Sequence, residues 1–178
     1  MVAPTSYRTD RPAVPTRTLL RVIVALRIFV GVDWLSNALA KLINVDTFHW
    51  GFTTFNLVDR NTAMAIARQA ATSTSIAPLR AFYTNVVLPN WGFFQWFLTA
   101  AEFAVGLGLL LGIATRLAAI GGLLLIAPIW IMLATTNQYL WTYPLDIFPL
   151  VLLAIVPAGR LAGFDGRLAA RLGARWPF

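Results

Sequence analysis

Three carboxylates stand where an apolar chain has little use for them. Glu102 lies in the middle of the run WGFFQWFLTAAEFAVGLGLLLGIATR, Trp91 to Arg116, and Asp33 and Asp146 interrupt two other apolar stretches. Taking an ionised carboxylate out of water costs several kcal/mol unless it is neutralised, paired or hydrated. Each acid must therefore hold a proton or face a partner. Asp33 is 12 residues past Arg21 (33 − 21), Glu102 is 14 before Arg116 (116 − 102), and Asp146 is 14 before Arg160 (160 − 146). At the helical rise these separations are ~18, ~21 and ~21 Å. If the arginines mark one membrane surface, the three acids share a layer at or just outside the midplane of a ~30 Å hydrocarbon core. Carboxylates gathered at one depth are the equipment of proton donors and acceptors, so Glu102, Asp33 and Asp146 are the candidate catalytic residues.

Asp33, Asn37 and Lys41 follow at i, i+4 and i+8, one side of a helix, with Trp34 beside them. Such a stripe turns away from lipid, toward a bundle interior or a water-filled cavity; the competing reading is a hydrogen-bonded packing seam. Above the layer come Asn37, Lys41, Asn137, Gln138, Tyr139, Trp141 and Tyr143. Together they predict a polar, aromatic-lined cavity opening outward, suited to a small polar or quinone-like ligand. Asn37, Lys41, Trp34, Tyr139 and Tyr143 are its candidate binding residues. Arg27, six residues before Asp33 (33 − 27), is the expected inner counter-charge. The single histidine, His49, has no second metal-binding residue at ligand spacing, so no metal site is expected.

The elements that must position these groups are set by composition. The chain of 178 residues is 58% hydrophobic, 12% charged and has a mean hydropathy of +0.71, the balance of an integral membrane protein. The absence of cysteine removes disulfides, thiolate metal sites and thiol redox chemistry from this chain. Its net charge of +7 comes from arginines flanking apolar runs, the positive-inside pattern rather than a nucleic-acid face. The expected fold is an all-α bundle of four membrane spans, at about 18–43, 91–113, 116–134 and 144–156. Residues 1–17 form a cytoplasmic arm and 160–178 a basic cytoplasmic tail, which puts both termini inside. Between the first two spans, 44–90 reads as an extracytoplasmic helical cap, with one helix starting at Asn61 or Thr62 and a second at Pro78.

Three blocks carry a resemblance: ALAKL (38–42), AEFAVGLGLLLGIATRLAA (101–119) and AGRLAGFDGRL (158–168). They resemble the DoxX family, and the long outer segment ending in VVLPN (86–90) leans toward its DoxD branch, named for the small membrane subunit of a thiosulfate:quinone oxidoreductase. Glu102, Gly106, Gly112, Thr115 and Arg116 match the most specific block, and Arg116 joins the candidate binding residues on that ground. The resemblance implies a four-helix protein of a prokaryotic cytoplasmic membrane, linked to quinone or sulfur-compound redox chemistry beside partner subunits. The chain lacks electron-carrying ligands of its own, so a quinone and a partner would have to supply the electrons. The alternative is a non-catalytic accessory subunit that stabilises a larger membrane complex. A carrier ranks below both, because no inverted repeat or pair of broken helices is evident.

Overall fold

A computed structural model describes residues 16–136, 142–172 and 176–177. The described chain is mostly helical. Its longest elements are α1 (Thr16–Ile43), α4 (Trp91–Leu111), α5 (Thr115–Leu133) and α6 (Tyr143–Ile155). Two of these, α4 and α5, are long and apolar enough to cross a membrane. By contrast, α1 has the length, 28 residues, but carries Arg17, Arg21, Arg27, Asp33 and Lys41, and α6 has the apolarity but only 13 residues.

The packing of α1 on α4 rests on two glycines. A Cβ on Gly31 would come within 2.7 Å of the Leu110 backbone nitrogen, and one on Gly106 within 2.8 Å of that of Leu35. The two backbones thus meet with no side chain between them, the close approach that small residues permit. Val30, Val105, Leu109, Ala119, Leu150 and Leu153 fill the space among α1, α4, α5 and α6.

Helix ends are closed locally. Asn44 adopts a left-handed φ of 57° and Val45 N–H bonds to Ala40 O at 3.0 Å, terminating α1. Gly112, at φ 67°, does the same for α4, with Ile113 N–H on Gly108 O at 2.9 Å.

The segment between α1 and α4 is not the purely helical cap expected. It begins with an antiparallel hairpin of β1 (Thr47–Trp50) and β2 (Thr53–Asn56), in which Phe48 pairs with Phe55 and Trp50 with Thr53. Its residues are β-branched and aromatic around Gly51, whose φ of 58° supplies the turn. Then come α2 (Arg60–Ser73) and α3 (Ala77–Phe82), the latter running into a π-helical turn over Tyr83–Val87. The N-cap of α2 is Asp59, a few residues before the expected start; its carboxylate accepts from Thr62 N–H at 2.8 Å.

At the opposite end, α7 (Ala158–Ala162) and α8 (Asp165–Leu172) fold under the bundle. The basic tail is pinned at its start. Asp165 is buried, and its two carboxylate oxygens accept from Ala114 N–H at 2.6 Å and Thr115 N–H at 3.0 Å, capping α5. Phe164 and Asp165 return N–H groups to Leu111 O and Gly112 O, carbonyls left over at the end of α4.

Candidate functional site

The site is built upward from Val58, the residue joining the hairpin to α2. Asn37 Oδ1 accepts its N–H at 2.9 Å, and Lys41 Nζ donates to its carbonyl at 2.8 Å. Two side chains one turn apart on α1 thus hold both backbone groups of a single residue. Part of the polar stripe is therefore spent on tying down the cap. Asn37 also donates to Asp33 O within its own helix at 3.2 Å.

Lys41 is 1% exposed, and its ammonium stands 2.9 Å from Oε2 of Glu102 on α4. Sequence spacing groups Lys41 with Asp33 on one helix; the fold pairs it across helices instead. One of the three ammonium protons is thereby assigned, to Val58 O, while the charge faces Glu102. The charge of Lys41 also acts on Asp59. Burial there would raise the Asp59 carboxyl, but hydrogen bonds from Thr62 and Asn61, together with Lys41, outweigh it and hold the group below its ordinary value.

A cavity of about 450 Å³ opens on this pair. Asp33, Trp34, Asn37, Lys41, Glu102, Tyr143 and Asp146 all line it, so the structure brings seven of the nine candidates together. Glu102 is buried, whereas Asp33 and Asp146 are exposed within the described chain; Asp33 lies within electrostatic range of both other acids. Tyr139 lies outside the described residues, as do Asn137, Gln138 and Trp141.

Arg116 is not among them. Its Nε donates to Ala154 O near the end of α6 at 3.0 Å, at the end of α5 away from the cavity. Arg27 also departs from expectation. It is 1% exposed, donates through Nη2 to Ala162 O at 2.7 Å, and faces Asp165 rather than Asp33. Both basic groups belong to a second polar cluster at the other end of the bundle from the cavity.

Several wall residues fall outside the set of candidates that sequence reasoning supplies. Phe82, Tyr83, Trp91, Phe94, Phe97 and Leu98 close the cavity from the cap and the first turns of α4, and Pro128 and Ile129 from α5. The phenylalanines carry a signal: Phe93, Phe94 and Phe97 recur at helical spacing, and Phe93 stacks on Phe97 with centroids 6.2 Å apart. The cap residues carry one too, since Leu79, Phe82, Tyr83, Val86 and Val87 recur at helical spacing as an apolar side, but only the fold places Tyr83 on the cavity wall. Burial raises the Tyr83 hydroxyl above its ordinary value, so it stays a hydrogen-bond donor at neutral pH.

No family model, curated protein or solved structure matches the chain.

Proposed function

We propose that the protein is a four-span membrane subunit that binds the head group of a quinone, or a ligand of like shape, against the Lys41–Glu102 pair. In this reading α4 and α5 cross the bilayer and α1 crosses beside them. The two interior cations of α1, Arg27 and Lys41, are each 1% exposed, while Val22, Phe29 and Val32 stand 60%, 71% and 49% exposed. A helix that buries its interior cations, opens its one acid, Asp33, onto the cavity and shows its apolar residues outward is suited to lipid contact. The fourth span is α6, ~20 Å long, continued at its inner end by α7. Both termini then lie on the cytoplasmic side of a prokaryotic inner membrane, with the cap outside.

The observation that carries the ligand reading is a buried ion pair opening onto an aromatic-walled cavity. Its volume lies within the range of small-molecule sites, and its lining has their usual character, mostly apolar with a few converging polar groups. Trp34, Phe94 and Tyr143 offer faces and edges against which a planar ring can lie. Lys41 has ammonium protons beyond the one that Val58 O takes, donors for a carbonyl oxygen. Glu102 can pass a proton to or from that oxygen, and Asp33 and Asp146 extend the exchange toward the cavity mouth. A quinone accepts two electrons and two protons; the electrons would come from a redox-active partner subunit. The resemblance to the DoxX family points to the same chemistry.

Organic extraction of the purified protein followed by mass spectrometry tests this. Stoichiometric quinone, lost in Glu102→Gln, is the expected result. Absence of quinone, with unchanged respiration of host membranes carrying Glu102→Gln, would leave the accessory-subunit reading in its place.

A further inference from the structure

The strands β1 and β2 themselves line no part of the cavity. The twelve residues from Thr47 to Val58 contain no Lys, Arg, Asp or Glu. Side chains alternate across a strand, and the observed register sorts this hairpin into two unlike faces. Phe48, Trp50 and Phe55 share one face, since Phe48 opposes Phe55 and Trp50 opposes Thr53. Thr47, His49, Thr54 and Asn56 share the other, where His49 Nδ1 and Thr54 Oγ1 are 2.8 Å apart. The aromatic face is uncovered: Phe48 is 52% exposed, Trp50 70% and Phe55 48%, and Phe52 at the turn is fully exposed.

We infer that this hairpin is a membrane anchor, laying its aromatic face and the Phe52 tip into the interfacial zone of the outer leaflet. The inference rests on the reading of α1 as a membrane span. Continuity along the chain chooses lipid as the occupant. The hairpin begins a few residues after α1 ends, and the last turns of α1 present Leu39, Leu42 and Ile43 outward at 42%, 47% and 66% exposure. The exposed apolar residues that end the span are thus followed in the chain, after Asn44, Val45 and Asp46, by the exposed aromatic residues of the hairpin. Aromatic rings settle at the level of the lipid head groups, where the inward-facing backbone groups of the two strands pair with each other and the outward-facing ones can still reach water. An uncharged segment has no cost of burying ions there. The opposite face, of hydroxyls, an amide and an imidazole, suits the aqueous side.

The anchor also bears on the site. Val58, which closes the hairpin segment, is the residue held by Asn37 and Lys41, so seating the hairpin in the leaflet fixes the entry of the cap over the cavity.

The chain has no cysteine, so single labels can be placed cleanly. The variants Phe52→Cys, Thr54→Cys and Phe29→Cys would each carry an environment-sensitive fluorophore in phosphatidylcholine nanodiscs, with matching gel-filtration profiles as a check on folding. Brominated lipid and aqueous iodide serve as quenchers. The expected result is blue-shifted emission at Phe52→Cys, quenched by brominated lipid and spared by iodide, with the reverse at Thr54→Cys. Equal iodide quenching at both hairpin positions, with lipid quenching at Phe29→Cys, would overturn the anchor and leave the membrane reading intact. Protection of the Phe52→Cys label from both quenchers would overturn it in favour of a protein partner or a second copy. Iodide quenching at Phe29→Cys would remove the membrane reading and the anchor with it.

Discussion

The ammonium of Lys41, in the last turn of α1, stands 2.9 Å from a carboxylate oxygen of Glu102 in the middle of α4, and both side chains are almost wholly removed from solvent. The pair joins the two helices whose backbones meet at Gly31 and Gly106, and through Val58 it also fastens the cap. Breaking a buried pair by removing one partner leaves an uncompensated charge, which typically costs about 3–5 kcal/mol. Glu102→Leu and Lys41→Met are therefore each expected to lower the thermal midpoint in detergent markedly. The double variant is expected to lose less than the sum of the two. An additive double variant would mean that the groups do not interact in solution.

Asp59 caps α2 from the point where the cap enters over the site. Asp59→Ala is expected to destabilise the protein by about 1 kcal/mol, the usual worth of an N-cap. The native group is held below its ordinary value of 3.8. Its stabilising contribution is thus fully present above that pH and is lost as pH falls through the lower folded value. Thermal unfolding followed from neutral pH down through the carboxylate range should show an acid-side loss of stability that is reduced in Asp59→Asn. An unchanged acid limb in that variant would mean that other carboxylates set it.

The clasp at the other end of the bundle depends on Gly112. A Cβ there would meet the Arg27 guanidinium, and the residue's left-handed φ of 67° disfavours any other side chain by about 1–2 kcal/mol. Gly112→Ala should therefore lower the yield of folded protein and its thermal midpoint. Gly92, in the first turn of α4, is the contrast: a Cβ added there would meet nothing within 4 Å. Gly92→Ala should be neutral or mildly stabilising, by up to about 1 kcal/mol from helix propensity. Equal effects of the two substitutions on unfolding would contradict the clasp.

The helices are legible in the sequence because apolar length marks both α4 and α5, and Pro89 before α4 and Gly112 after it mark its ends. Glycine at 112 and the arginine at 116 mark one turn, and the polar stripe of α1 marks a side that avoids lipid. The cavity is legible only as a set of types. Asp33, Glu102 and Asp146 can be assigned to one layer by depth, and Asn37 and Lys41 join Asp33 by helical spacing, but which cation meets which acid depends on helix rotation and crossing. Counting residues does not supply that. Arg27 shows the same limit: its sequence distance to Asp33 is short, yet its guanidinium turns toward Asp165 and Ala162 O, the latter 135 positions further along. The hairpin escapes sequence reasoning for a different reason. In an otherwise helical chain, Thr47 to Asn56 is too short to carry a strong alternating signal, and its face is defined only once Phe48 is known to oppose Phe55.

The central claim, a ligand held against the Lys41–Glu102 pair, is tested most directly by titrating the purified protein with a short-chain quinone and following tryptophan fluorescence, since Trp34 and Trp91 line the cavity. Quenching that saturates at one quinone per chain, and that weakens in Glu102→Gln while the thermal midpoint of that variant with quinone absent shows it still folded, is the predicted result. Quenching that rises linearly with quinone in the lipid phase, alike in native protein and Glu102→Gln, would contradict it.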